Sequence, residues 1–316
     1  MLVSVVIPLL NENESLSELH SELKSVLNKN EIKYEIIFID DGSNDGSWET
    51  IEKLKKLDQK VKAVKFFKNY GKSQALHAGF KLAEGEIVIT MDADLQDSPE
   101  EIPEMISILQ KEELDILSGW KKKRHDSVLF KNIPSKIFNA VARKTSGIQL
   151  HDFNCGLKAY KSIVIKNINV KGEMHRYIPV LAKNEGFINI SEKEVIHKAR
   201  KYGKTKFGAD RFVNGFLDLV SLWFFSRFGK RPMHFFGALG VLTFIIGFSS
   251  AFYIGASKLY KLYNDLPTTL VVDNPFFYIA LACMIIGVQL FLAGFIGELI
   301  INNQPTEDRY KISKII

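Results

Sequence analysis

A chain of 316 residues, 46% of them hydrophobic and 25% charged, can bury a sizeable core in one large α/β domain or two domains. Its two cysteines, Cys155 and Cys283, lie in segments of unlike character, which argues against a disulfide framework or a cysteine metal site and makes a reducing compartment the default. The net charge of +6 points to an anionic partner, either a nucleic acid or a membrane surface.

The opening run "MLVSVVIPLL" has no basic leader and is followed at once by "NENE", so it reads as a buried first strand rather than a signal peptide. "ESLSELHSELKSVLNK" then spaces its apolar residues as a helix does, and "YEIIFIDD" is a second continuous apolar strand. "SWETIEKLKKL" predicts a helix leading to the strand "VKAVKFF", and "SQALHAGFKLAEG" predicts one leading to "EIVITMDAD". Repeated βαβ units imply a mostly parallel, twisted sheet, in which ligands bind beyond the carboxyl ends of the strands. The polar clusters fall there: "NEN" after the first strand, "DDGSNDGS" after the second, "KNYGKS" after the third and "DADLQD" after the fourth.

Between Lys121 and Lys144 stand eight Lys or Arg residues and one acid, Asp126; Lys121 to Lys123 read as a solvated, lipid-attracting face. "HKARKYGKTKFG" combines Arg200, Lys204 and Lys206 with two glycines, a composition suited to a mobile loop closing over phosphates. From Asp210 to Phe228, Arg211, Asn214, Asp218 and Ser221 recur at helical spacing against Phe, Leu, Val and Trp, which predicts an amphipathic helix lying in a membrane interface.

Phe235 to Ser257 and Pro275 to Gly297 are uncharged runs of 23 residues, each long enough to cross about 30 Å of hydrocarbon. "RFGKRPMH" before the first and "DRYKISK" after the second are basic, so both flanks and both termini are expected on the cytoplasmic face of an integral membrane protein. Because the basic segments flank membrane elements and no nucleic-acid module is recognisable, membrane lipid is the expected surface partner and nucleic acid is not.

Asp92 and Asp94 occupy alternate positions of an extended strand end, so both can approach one hard divalent cation, and Gln96 adds a neutral oxygen on the same face. Mg2+ or Mn2+ keeps several waters and is shared with substrate phosphates, so one or two carboxylates suffice for a nucleotide diphosphate site. The stretch from Asp97 to Glu101 reads instead as a helix start, with Asp97 or Ser98 as cap and Pro99 in the first turn.

Together "VVIPLLNE", "FIDDGSNDGS", "NYGKSQALHAGF" and "MDADLQDSPE" resemble glycosyltransferase family 2, and with "HDFNCGLKAYK", "GEMHRYIP" and "RKYGKTKFG" they resemble its polyprenyl-phosphate glycosyltransferases. The resemblance implies a nucleotide-diphosphosugar-binding fold of the GT-A type and one inverting transfer from a UDP- or GDP-sugar to a polyprenyl phosphate. It assigns Pro8, Glu12, Asp40 and Asp41 to the nucleoside, Asn69 and Lys72 to the donor, and Asp92, Asp94 and Gln96 to the metal and diphosphate. Leu10 stands where many members have Tyr. Arg124, Lys131 and Ser135 are implied to hold the lipid phosphate, Asp152 to lie near the reaction centre, His175 and Arg176 in the site region, and Arg200 and Lys206 at the departing diphosphate.

The expected layout is a catalytic domain over 1–206, an interfacial helix region over 207–232, two spans with a short outer loop over 233–303 and a tail over 304–316. Members with two spans imply a homo-oligomer. A processive polysaccharide synthase of the same family is the nearest alternative, but "ED" occurs only in the tail and "RW" nowhere. A non-enzymatic sugar-nucleotide sensor is the other.

Overall fold

In the computed structural model the described residues are 1–122, 133–170, 174–199, 201–202 and 231–302, with 220, 223, 224 and 228; of 133–138 and 302 only the backbone is described. The chain divides into two units, Met1–Trp223 and Phe224–Ile316.

Seven strands form one sheet in the first unit: β1 (Leu2–Leu9), β2 (Lys33–Asp40), β3 (Val61–Lys65), β4 (Ile87–Thr90), β5 (Ile116–Trp120), β6 (Lys158–Lys161) and β7 (Ile190–Glu194). Their order is β3-β2-β1-β4-β6-β5-β7. β1 pairs in parallel with β2 and β4, and β2 with β3, whereas β6 runs antiparallel to both β4 and β5. The sheet is thus parallel on one side of β4 and mixed on the other, a GT-A-like arrangement.

Strands β1 and β2 read as continuous apolar runs because both faces are covered. On one face Val3, Val5, Ile7, Ile36 and Phe38 meet Leu16, Leu19, Leu23 and Leu27 of α1 (Asn13–Lys29). On the other, Val6, Ile37 and Ile39 meet Ala75, Leu76 and Phe80 of α3 (Lys72–Leu82). The leucines of helix α1 recur three or four residues apart, the spacing that puts them on one side of a helix. On the same face as α1 lies α2 (Ser47–Leu57), and α4 (Ile102–Lys111), α5 (Ile133–Ser146), α6 (Ser162–Asn167) and α7 (Ile178–Asn184) complete the unit.

The chain leaves β1 through β2 to β3 and then returns to place β4 on β1's other flank. The strand order reverses between β1 and β4, and a ligand site is expected outside the carboxyl ends of strands at such a point. Pro8 lies in the last two residues of β1, and Asp92 follows two residues after β4.

The second unit is built on two helices, α8 (Pro232–Tyr263) and α9 (Pro275–Asn302). Both are long and apolar enough to cross a membrane, with mean hydropathies of 1.9 and 2.5, and they contain the two uncharged runs seen in the sequence. Small residues let their backbones meet: a Cβ on Gly287 would lie 2.7 Å from the Gly240 carbonyl oxygen, and one on Gly247 would lie 2.6 Å from that of Ala280.

Candidate active site

The loops at the carboxyl end of the sheet are tied to one another before any ligand is considered. Asp41, just past β2, accepts the N–H of Tyr70 at 2.7 Å and that of Gly71 at 2.9 Å, so both its oxygens hold the 69–71 loop. Burial raises the Asp41 carboxyl and these two N–H donors pull it down, with a net rise. Gly42, at φ +78°, lies against that same loop; a Cβ there would come within 2.5 Å of the Lys68 backbone. Asp40 Oδ1 accepts the Ser43 N–H at 2.8 Å, while its Oδ2 is buried without a hydrogen bond. The "NEN" loop joins them: Glu12 N–H donates to Ser47 Oγ at 3.1 Å and Asn44 N–H to Asn11 Oδ1 at 2.9 Å. Asn69 is exposed at the rim, and Pro8 lines the crevice.

After β4 the burial alternates. Met91, Ala93 and Leu95 are buried in the core, while Asp92, Asp94 and Gln96 are half-buried on the opposite side. The expected extended strand end is not what carries this alternation: β4 stops at Thr90, residues 93–95 form a turn with Leu95 at φ +60°, and the Gln96 N–H donates to Asp94 Oδ1 at 3.2 Å within it. Lys72, at the start of α3, forms an ion pair with Asp92. Burial would raise the Asp92 carboxyl, but the Lys72 and then the Lys121 ammonium outweigh it and hold the group well below the usual carboxylate range. Gly156 leaves the room that carboxylate needs, since a Cβ would lie 2.5 Å from Asp92 Oδ2. No group of three His, Cys, Asp or Glu residues placed to hold a metal occurs among the described residues. Two carboxylates and one amide oxygen are donors of the kind that suit a hard cation completed by phosphate and water.

Two expectations are corrected here. Asp97 is not a helix cap: it is 1% exposed, makes no capping hydrogen bond to the short helical turn at Pro99–Glu101, and sits 2.7 Å from the Lys121 ammonium. Lys121 is accordingly no solvated face residue, its side chain being only 12% exposed; burial lowers its pKa and Asp97 more than reverses that. An ammonium carried under the surface needs such a carboxylate beside it.

A crevice beside Asp92 is lined by Pro8, Lys72, Thr90, Asn154, Lys158, His175 and Arg176 with apolar walls. Its floor comes from the turn before β6: Lys158, 3% exposed, donates to the carbonyls of Phe153 at 3.1 Å and of Cys155. Burial lowers the Lys158 pKa and raises the Cys155 thiol to about 12, which keeps the thiol protonated and inert. Asp152 is 1% exposed and accepts the Asn154 N–H at 3.0 Å, shaping this turn without lining the crevice.

Ser73 connects α3 to the far wall. It accepts the His175 backbone N–H at 2.9 Å and meets His175 Nδ1 at 3.1 Å. Burial, followed by the Lys72 and Arg176 charges, pushes the His175 pKa down to about 3.

The segment after β7 is anchored on the loop after β4 and on α1. Asp97 and His197 form an antiparallel bridge and Lys198 N–H donates to the Gln96 carbonyl at 2.9 Å. Lys201 reaches both oxygens of Glu18 at 2.8 Å, and Tyr202 OH donates to Glu18 Oε2 at 3.1 Å. Arg124, Lys131, Arg200 and Lys206, the Ser135 side chain and most of the expected interfacial helix lie outside the described residues. The sequence reading singled out Lys72, Asp92, His175 and Arg176 but missed Asn154, Lys158 and the Asp97–Lys121 pair, whose partners are distant in sequence.

The family model for glycosyl transferase family 2 matches residues 4–168, just over half of the chain. The chain is 34% identical to the dodecaprenyl-phosphate galacturonate synthase of Rhizobium johnstonii over 97% of its own length and 89% of that relative. The chain belongs to glycosyl transferase family 2. This family 2 glycosyltransferase is also 33% identical to the undecaprenyl-phosphate 4-deoxy-4-formamido-L-arabinose transferase of Proteus mirabilis, over 99% of its own length and 94% of the relative's. Among solved structures, glucosyl-3-phosphoglycerate synthase of Mycobacterium tuberculosis, crystallised with Mn2+, UDP-glucose and phosphoglyceric acid, superposes with a TM-score of 0.55 at 16% identity, over 71% of this chain and 79% of that one. That likeness is one of fold.

Proposed function

We propose that this glycosyltransferase moves one sugar, with inversion, from a nucleotide diphosphosugar to the phosphate of a polyprenyl phosphate at a membrane surface. One observation carries the reading: the relatives named as polyprenyl-phosphate sugar transferases align over nearly the whole chain, the two apolar helices included. Both termini and the catalytic unit then lie on the cytoplasmic face, as the basic flanks favour.

Asp92, Asp94 and Gln96 would hold a divalent cation, Mg2+ or Mn2+, which supplies charge neutralisation to the diphosphate when bound. Asp41 holds the 69–71 loop so that Asn69 and Lys72 face the donor, and Asp40 Oδ2 offers an acceptor toward the nucleoside beside Pro8 and Glu12. A phosphate monoester is already anionic near neutral pH, so its oxygen attacks the anomeric carbon without a strong general base. The new oxygen–carbon bond forms as the bond from that carbon to the diphosphate oxygen breaks, and the electron pair leaves with the nucleotide diphosphate. Asp152 orients the 153–157 turn in this scheme rather than removing a proton. Arg124, Lys131 and Ser135 at the lipid phosphate, and Arg200 and Lys206 at the leaving group, complete the assignment.

The test is release of free nucleotide diphosphate by purified protein. Release that depends on added polyprenyl phosphate, with a sugar-bearing lipid as product, is expected. Release that ignores the lipid, or transfer to a soluble acceptor alone, overturns it.

A further inference from the structure

The loop after β4 carries two of its candidate cation donors on a strained turn. Leu95 stands at φ +60°, a left-handed conformation that L-residues adopt at a cost, and it separates Asp94 from Gln96. Relaxing it would swing those two side chains apart, so contacts beyond the turn have to hold it. Three do. The Leu95 side chain is buried in the core, the Lys198 N–H donates to the Gln96 carbonyl at 2.9 Å, and Asp97 both bridges to His197 and meets the Lys121 ammonium at 2.7 Å.

The Asp97–Lys121 pair is the most demanding of these to build. The Asp97 carboxylate is 1% exposed and neither of its oxygens makes a hydrogen bond among the described residues, so the ammonium is the contact that offsets its desolvation. Core filling alone does not call for such a pair, because apolar residues of similar volume would bury as well or better. Lys121 follows directly on β5, which lies two places from β4 in the sheet with β6 between them. The residue next to Gln96 is thus tied to a separate strand by a contact that fails at large cost if one partner is lost.

We propose that Lys121 is a positioning residue for cation binding: through Asp97 it holds the turn at 94–96 in the shape that lets Asp94 and Gln96 serve one divalent cation. Lys121 acts through Asp97 and need touch neither cation nor donor. The inference rests on the transferase reading above, since it concerns the cation of that same site.

Charge and geometry predict opposite effects. Lys121→Met removes a positive charge whose field reaches Asp92 and leaves Asp97 negative, so by electrostatics alone Mn2+ would bind more tightly. If the ammonium positions the turn, the uncompensated Asp97 carboxylate moves toward water and carries Gln96 with it, and Mn2+ binds more weakly.

The experiment measures Mn2+ binding to the full chain in detergent, from the free-ion electron spin resonance signal, with UDP or GDP present and well below the thermal midpoint of each variant. Lys121→Met is expected to weaken binding at least about tenfold, as losses behind a metal site commonly do. In turnover it should raise the Mn2+ concentration for half-maximal rate by a like factor, with kcat at saturating Mn2+ changed less than about twofold. Lys121→Arg should restore most of the affinity. Asp97→Asn, whose amide oxygen still accepts from the ammonium, should weaken binding less than Lys121→Met does, and it decides the matter if Lys121→Met does not fold. Unchanged or tighter Mn2+ binding in the folded variants, with only a lower thermal midpoint, overturns the inference and leaves the pair a purely structural one. A native chain that takes up no Mn2+ with either nucleotide overturns the cation reading and this inference with it, whereas native binding with unaffected variants overturns this inference alone.

Discussion

At the scale of single residues, the site separates side chains that meet ligand from those that hold the loops. Asp94 belongs to the first group in our reading, so Asp94→Asn should lower kcat by about 10²–10³-fold while leaving the fold intact by circular dichroism, and chelator should abolish turnover of the native chain. Full turnover in chelator would remove the metal from the mechanism. His175 gives a pH signature. Its folded pKa of about 3 lies below the ordinary value, so the unfolded chain binds the proton more readily. Its contribution to stability is therefore complete above about pH 6.5 and falls as the pH drops from there toward 3. Thermal midpoints measured between pH 7 and pH 4.5 should fall less steeply for His175→Gln than for the native chain, and identical slopes would contradict a buried neutral imidazole.

At the scale of elements, the helix pair of the second unit depends on glycines. Gly287→Leu would drive a side chain into the Gly240 carbonyl and the Phe244 backbone, each 2.7 Å from the Cβ position, so the helices must separate. A loss of about 1–3 kcal/mol is expected, as for other overpacked contacts. Gly255 has nothing within 4 Å of its Cβ position, and Gly255→Leu should change little. Comparing the two variants by thermal unfolding in detergent checks this; equal effects would mean that composition rather than close approach matters. Within the first unit β1 to β4 and the helices between them were legible because burial on both faces of a parallel sheet writes itself as apolar runs, and α1 as leucines at helical spacing, whereas β5 and β7 were not read. Strand β6 was not: "KAYK" is short, lysine-rich and inserted antiparallel between β4 and β5, so no local pattern announces it.

For the whole molecule, the two units imply a division of labour between donor chemistry and access to lipid. Ending the chain after Phe228 should release a folded unit that still binds nucleotide sugar but transfers at least about tenfold more slowly to lipid in vesicles. Undiminished transfer would show that the apolar helices do not serve the acceptor. Binding by calorimetry and transfer to vesicle lipid separate the two contributions.

By itself the sequence determined the family, the order of the first βαβ units and the presence of two apolar helices, because each is written in local periodicity or in contiguous motifs. Tertiary structure alone decided which charges work together. Lys121 reads as one of a surface cluster, yet Asp97, 24 positions away, draws it inside. Ser73 and His175 stand 102 residues apart and set each other's hydrogen bonding. Lys158 lies in the crevice because the sheet order carries β6 next to β4. Such partnerships follow from strand order and helix packing, which no local pattern encodes, and the cost of burying a charge is met only where the fold brings its partner.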